Sequence, residues 1–200
     1  DHGFVQASSD YSKIRLSHYD DGCYVILTLE TFDEDEMDKK LIKVDELAQA
    51  HGAVEVSLAD DRVWTIRKNC LEATRILSRV STSDDFVFPL DKISDAIMDL
   101  SELAATYPFR VFTLAHAGDG NLHFNILKGE LSDEAWEETL SSFHEKAYAG
   151  LLSGEHGIGA KKVGQLERLT DPGQMFMMTA IKKALDPLDV LNPGKVIARY

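Results

Sequence analysis

Alternating apolar and polar positions occur in several short stretches of this chain, and this period of two is typical of β-strands. Strands are predicted at 13–19 and 23–31, joined at Asp20-Asp21-Gly22, and a further short strand at 53–58. In 23–31 the core face carries Val25, Leu27 and Leu29, and the other face is mixed. A short extended piece is predicted at 85–89. Residues 1–12 are largely polar, and we expect them to be frayed.

Apolar positions at helical spacing, preceded by acidic or capping residues, predict the helices. The predicted helices cover residues 33–51, 60–77, 91–106, 133 to about 152, and 171–185. Between and after them lie a glycine-rich loop at 153–160 and an aperiodic stretch with two prolines at 186–195. This order of elements predicts an α+β fold, with an antiparallel sheet and helices packed mainly on one face in a ferredoxin-like build.

The segment 110–127 reads as two strands joined by a tight turn, and it holds two histidines. Asp119-Gly120 suits a two-residue type I′ turn, which would place His116 directly opposite His123. Along the second strand apolar and polar residues alternate, so that one face is apolar and the other carries His123 and Asn125. Two facing imidazoles predict a metal or proton-transfer site. The alternative is a pair of core histidines with satisfied hydrogen bonds.

The loop Ser153-Gly154-Glu155-His156-Gly157-Ile158-Gly159 places an acid next to an imidazole among three glycines. Glycine lets other groups approach the backbone closely. Glu155 is therefore a candidate for the oxygen ligand that completes a two-histidine metal site, with His156 beside it. The alternative is a solvent-exposed loop that merely ends a helix.

Composition narrows the functional classes. The 200 residues contain 34 acidic and 21 basic side chains, a net charge of −13, which disfavours nucleic acid and anionic membranes as partners. Hydrophobic residues make up 44% of the chain, but no apolar run approaches the roughly 20 residues that cross a bilayer. Two cysteines, Cys23 and Cys70, form no metal-binding or disulfide pattern. We expect a cytoplasmic location, because a reducing compartment fits this cysteine content.

Three motifs occur together in a recognisable order. They are His116-Ala-Gly-Asp-Gly-Asn-Leu-His123, then Gly154-Glu155-His156-Gly157-Ile158-Gly159 with Lys162, and then Leu185-Asp-Pro-Leu-Asp-Val-Leu-Asn192-Pro-Gly-Lys195. Trp64-Thr-Ile-Arg67 and Asp85-Phe-Val-Phe-Pro89 precede them. Together these motifs resemble the C-terminal domain of FAD-linked oxidases of the vanillyl-alcohol oxidase superfamily. Within it they are most similar to the D-lactate dehydrogenase, D-2-hydroxyglutarate dehydrogenase and glycolate oxidase group.

The resemblance implies that residues 1–200 form the C-terminal substrate and metal domain of a larger flavoprotein. An FAD-binding domain is expected upstream, in cis, and this chain contains no candidate for it. We therefore expect the chain alone to be inactive. The implied activity is FAD-dependent oxidation of a small D-2-hydroxy acid to the 2-oxo acid. The electron acceptor and the oligomeric state, a homodimer included, stay open.

The resemblance also implies roles for individual residues. His156 matches the general base. Arg67 matches an arginine that binds the substrate carboxylate, and Asn125 matches a polar residue of the same pocket. Asn192 lies in a segment that runs close to the flavin in relatives. The residues that match ligands of a divalent metal, zinc or manganese, are His116, His123 and Glu155.

Two departures from the family pattern leave the substrate open. Many relatives carry a lysine just before the Asp85-Phe-Val-Phe-Pro89 stretch, whereas residues 81–85 include none, and Leu71 replaces a frequent threonine. Two other functions share the same ligands. One is a non-catalytic, metal-stabilised binding module, and the other is a metallohydrolase that uses a metal-bound water.

Overall fold

The computed structural model of the chain describes residues 1–147 and 151–198. Its internal contacts divide the chain into two compact units, Asp1–Ile76 and Leu77–Tyr200, and each is described by itself. Within the described ranges, every helix is too short or too polar to span a bilayer.

The first unit is helical. It contains α1 (His2–Ser12), α2 (Glu34–Ala50) and α3 (Asp61–Leu77), and the two predicted helices at 33–51 and 60–77 are thereby confirmed. The prediction of a frayed start is wrong, because Asp1 caps α1 by accepting a hydrogen bond from the Phe4 amide at 2.9 Å. The helix also buries Phe4 and Val5.

The predicted strands at 13–19, 23–31 and 53–58 do not form, and this fully described unit contains no strand. Several of their apolar side chains stay in solvent, with Val25 at 82% and Leu58 at 82% exposure, and others such as Ile26 are only half-buried. Alternation favours a strand only where a neighbour supplies hydrogen-bond partners and an apolar surface covers one face. These segments have neither, and so none of them forms a strand. Residues 17–21 form a turn instead, in which His18 has a left-handed φ of +53° and its carbonyl accepts a hydrogen bond from the Gly22 amide at 2.7 Å.

The second unit contains an antiparallel sheet in the order β1-β3-β2, which confirms the predicted α+β class. The strands are β1 (Ser81–Val87), β2 (Arg110–His116) and β3 (Asn121–Leu127). A 3₁₀ turn at Leu90–Lys92 leads into the first helix of this unit. The helices are α4 (Ile93–Ala105), α5 (Asp133–Ala147), α6 (Val163–Leu169) and α7 (Pro172–Leu185).

The apolar face of the sheet carries the core of the second unit. Leu122, Phe124 and Ile126 of β3 are fully buried, in agreement with the predicted alternation. They belong to one cluster with Leu100 of α4 and Phe143 of α5. Burying a side chain of this size contributes about 1.5–3 kcal/mol. Helices α4 and α5 pack against this apolar face. Because successive side chains of a strand point to opposite faces, the polar residues of β3 lie on the other face.

The register of the β2–β3 hairpin differs from the prediction by two residues. His116 lies opposite Asn121, and His123 lies opposite Leu114. A type I′ turn needs positive φ at both central residues, but in the connection 117–120 only Gly120 has it, at +83°. The connection therefore spans four residues, and the Asp119 amide donates to the His116 carbonyl at 3.2 Å. A slip of two preserves the faces, so the histidines are diagonal rather than direct neighbours.

The C-terminal part follows the predictions with two exceptions. The helix predicted from 133 to about 152 ends at Ala147 as far as the structure describes it, because 148–150 lie outside the described residues and Leu151 pairs with Val87. Helix α6 was not predicted, since its seven residues are too few for a clear period. Helix α7 forms where predicted, capped by Asp171, and residues 186–195 have no regular structure.

Candidate metal and acid–base site

The polar face of the sheet is covered by the glycine-rich loop. A bridge between Val87 and Leu151 brings the start of this loop to the edge strand β1. Gly154 then passes so close to the sheet that a Cβ atom there would lie 2.7 Å from Val87 Cγ2 and 2.8 Å from Asn121 Cγ. Such distances are far inside van der Waals contact. Glycine at this position therefore allows the loop to lie directly over the polar face.

The side chain of Asp85 on β1 holds the loop in place through hydrogen bonds. This carboxylate is fully buried, and its Oδ2 accepts hydrogen bonds from Ser153 Oγ at 2.8 Å and from the Glu155 and His156 amides at 2.7 Å each. Its Oδ1 accepts a hydrogen bond from Lys162 Nζ at 2.9 Å. Burial acts to raise the pKa of Asp85, but these hydrogen bonds outweigh burial and hold the pKa well below its usual value.

The loop brings Glu155 to the two histidines of the hairpin. Glu155 Oε1 lies 3.0 Å from His123 Nε2 and 3.7 Å from His116 Nε2, and the two imidazole centroids are 5.2 Å apart. One donor atom from each of the three residues lies within 4.8 Å of the others. The structure thus brings together the three predicted metal ligands. His123 is buried on the central strand, whereas the other two are more exposed.

The three donors suit a divalent cation in both chemistry and spacing. Two imidazoles and one carboxylate form a known set for zinc and are acceptable to manganese. Tetrahedral ligands at 2.0–2.2 Å from one ion lie about 3.4 Å from each other. The distances of 3.0 and 3.7 Å from Glu155 to the imidazoles bracket that value. Asn121 Nδ2 lies 3.4 Å from Glu155 Oε1 and orients the carboxylate, while Asn121 Oδ1 is buried without a hydrogen-bond partner among the described residues.

Burial lowers the pKa of His123, and the neighbouring His156 and His116 lower it further, against the opposing effect of Glu155. A neutral imidazole is the form that binds a metal ion. The surroundings of His123 therefore favour the neutral form of its ring.

His156 lies next to this cluster with part of its ring accessible. Its ring centroid is 5.1 Å from that of His123, and its Nδ1 lies 3.6 Å from Asp85 Oδ1. The ring is 41% exposed, which leaves room for a small molecule to approach it. This position is compatible with the proton transfer expected of His156.

The remaining predicted residues are placed as follows. Asn125 is buried two residues from His123 on the polar face, opposite Phe112 of β2. Arg67 lies half-buried on α3 and belongs to the first unit, whereas the three clustered residues belong to the second. Asn192 lies in the exposed loop after α7, with a left-handed φ of +50°. The roles predicted for these three residues stay predictions.

The loop that contains Asn192 is ordered by one buried carboxylate. Asp186 accepts hydrogen bonds from the Val190 and Leu191 amides at 2.9 Å each, and it also pairs with Lys182. Leu188, Val190 and Leu191 nevertheless stay exposed. An ordered, exposed apolar loop of this kind is compatible with a position against an apolar ring system.

Sequence reasoning did not assign functions to Asp85, Lys162 and Ser153. Ser153 and Lys162 lie 68 and 77 residues beyond Asp85 in the chain, yet the side chains of both donate hydrogen bonds to it. One signal was available. Asp85 stands in a strand next to Phe86, which is fully buried, and a charge in such a strand requires a partner.

Comparison with known proteins shows the family of the chain. The family model for FAD linked oxidases, C-terminal domain, matches residues 1–196. The D-lactate dehydrogenase of Anaerostipes hadrus is 32% identical over 186 residues, covering 88% of this chain and 39% of that protein. The glycolate oxidase subunit GlcD of Bacillus subtilis is 30% identical over 200 residues, covering 95% and 42%. A probable mitochondrial D-2-hydroxyglutarate dehydrogenase of Oryza sativa subsp. indica is 30% identical over 173 residues, covering 84% and 30%.

The chain therefore belongs to the FAD-linked oxidase family and corresponds to its C-terminal domain. It spans between 30% and 42% of the length of these three relatives.

Proposed function

We propose that this chain is the substrate- and metal-binding domain of an FAD-dependent oxidoreductase that converts a D-2-hydroxy acid to the 2-oxo acid. Its substrate is of the lactate, glycolate or hydroxyglutarate type, as the names of the relatives suggest. The observation that carries the proposal is the convergence of two imidazoles and one carboxylate from separate segments. Family membership supplies the redox class.

In this proposal His116, His123 and Glu155 hold a divalent ion, zinc or manganese. When bound, the ion supplies Lewis-acid stabilisation of the negative charge that develops as the substrate hydroxyl ionises. The three side chains fix the place at which the hydroxyl must bind, close to the ring of His156.

His156 accepts the proton of the substrate hydroxyl. Imidazole suits this task because it titrates near neutral pH. The backbone of His156 is fixed by the 2.7 Å hydrogen bond from its amide to Asp85, so the ring starts from a defined position. Oxidation also removes a hydride from C2, and FAD, bound mainly by the upstream region, supplies the acceptor.

Arg67 and Asn125 are proposed to bind the substrate. A guanidinium presents a planar fork that matches a carboxylate, and a buried amide can hydrogen-bond one further oxygen. Asn192 and its exposed apolar loop are proposed to lie near the flavin. The partners are accordingly the upstream FAD-binding domain in cis and a small 2-hydroxy acid.

The test joins this chain to its native upstream region and screens D-2-hydroxy acids with an artificial dye acceptor. We expect one of the three substrate types to reduce the dye and its L-enantiomer, where one exists, to be inactive. A protein that carries FAD but oxidises none of these acids would refute the activity. If such a protein still binds one divalent ion per chain, the result supports a non-catalytic metal-stabilised module instead.

A further inference from the structure

The Glu155–His156 pair is built on a loop that has no regular secondary structure, yet both residues need defined directions. Loops of this kind are ordinarily mobile unless their backbone groups find fixed partners. Here four groups of one segment converge on a single buried carboxylate. The hydroxyl of Ser153 and the amides of Glu155 and His156 donate to Asp85 Oδ2, and Lys162 Nζ donates to Oδ1.

We propose that Asp85 is a positioning residue, which fixes the loop from Ser153 to Gly157 and thereby the directions of the Glu155 and His156 side chains. Its consequence for metal binding rests on the proposed function, whereas its effect on the loop does not.

Lys162 and Ser153 complete this anchor. Lys162 Nζ lies between Asp85 Oδ1 and the Leu152 carbonyl, at 2.9 and 2.6 Å, and so ties the start of the loop to the same carboxylate. Ser153 Oγ donates to Asp85 and accepts a hydrogen bond from the Gly157 amide at 2.7 Å. Both ends of the segment are therefore held through Asp85.

Replacement of Asp85 by asparagine tests this arrangement with little change in shape. An asparagine has one acceptor oxygen and one donor amide, so it cannot accept from all four donors that the carboxylate satisfies. At least one donor loses its partner, and the Lys162 charge is left uncompensated. The loop should loosen while the strand stays in place.

The neighbouring Asp84 offers a matched control. It is also buried on β1, but it lies on the helix-covered face and pairs with His144 Nε2 at 2.8 Å. Asp84→Asn thus removes a buried carboxylate of the same strand without touching the loop. Any effect common to both variants reports on general stability, and the difference reports on the loop.

Two measurements on the chain decide the matter. Amide hydrogen exchange of Glu155 and His156 should become about 10-fold faster or more in Asp85→Asn, since bonds to a charged acceptor are lost, and should change less than twofold in Asp84→Asn. Zinc titration against a chelating indicator should show affinity about 10- to 100-fold weaker in Asp85→Asn only.

The outcomes separate this inference from the proposed function. If the unmodified chain binds zinc and Asp85→Asn binds it within twofold as tightly, the positioning role is overturned. If the unmodified chain binds no zinc, the metal site falls and amide exchange alone decides, with unchanged protection in Asp85→Asn overturning the role. If Asp85→Asn does not fold, Ser153→Ala replaces it, with an expected loss of zinc affinity of about fivefold, and no loss overturns the role.

Discussion

Gly154 offers a sharp test of how closely the glycine-rich loop must approach the sheet. A Cβ atom at this position would lie 2.7 Å from Val87 Cγ2 and 2.8 Å from both Asn121 Cγ and Asn121 Nδ2. None of these atoms can simply swing away, because Val87 is β-branched on a paired strand and Asn121 is buried. Gly154→Ala must therefore move the loop or the strands.

The expected cost follows from overpacking. Inserting a methyl group into a closely packed site costs about 1–3 kcal/mol. For a chain of this length each kcal/mol lowers the melting temperature by roughly 2–4 °C, so we expect a decrease of about 2–12 °C. A displaced loop also moves Glu155 away from His123, and zinc affinity should fall in parallel.

Gly118→Ala is the control for the assay. Gly118 lies in the hairpin connection and has no positive φ, and a methyl group added to its Cα would meet no atom within 4 Å. Alanine there should be neutral or stabilise by up to about 1 kcal/mol through the unfolded chain. Thermal and urea unfolding of both variants provide the measurement. If Gly154→Ala is as stable as Gly118→Ala, the close approach of the loop to β1 and β3 is refuted.

Three further predictions concern the site itself. His123→Ala should reduce zinc affinity by about 100-fold or more, measured by titration, whereas exposed His51→Ala should not change it; equal affinities would exclude His123 as a ligand. His156→Ala, in the protein with its upstream region, should lower kcat by about 10²–10⁴ while metal content is kept, and an unchanged kcat would remove the base role. The folded-state pKa of Asp85 is held below its ordinary 3.8, so the ionised carboxylate stabilises the fold above about pH 4 and this stabilisation is lost as the pH falls. The free energy of unfolding, measured with urea, should therefore decrease more steeply on acidification in the unmodified chain than in Asp85→Asn.

The face that each residue occupies in β3 could be predicted from sequence, whereas the register could not. Alternation in β3 assigns Leu122, Phe124 and Ile126 to one face in any register that shifts by an even number of residues. The choice between a two-residue and a four-residue connection depends on backbone angles at Asp119 and Gly120. Of these two residues only Gly120 has positive φ, and the dipeptide alone does not reveal this.

The failures in the first unit have a different cause. Residues 53–58 alternate as β3 does, and 23–31 has Val25, Leu27 and Leu29 on one face, but such a pattern describes only the faces of a potential strand. Strand pairing depends on a partner strand elsewhere in the chain, and the pattern within one segment does not show whether that partner exists. Helices α2 and α3 could be predicted better, because their hydrogen bonds are local and their caps are adjacent in sequence.

The ligands of the proposed metal site differ in how firmly the fold holds them, and this difference explains why the loop anchor matters. His123 is buried on the central strand, paired on both sides, so its direction is set by the sheet. Glu155 is 55% exposed in a loop, and its direction depends on the backbone bonds that Asp85 accepts. A ligand side chain that is free to move must be ordered when the metal binds, and this cost in conformational entropy lowers the metal affinity. Removing Asp85 should therefore weaken metal binding although Asp85 itself contacts no ion.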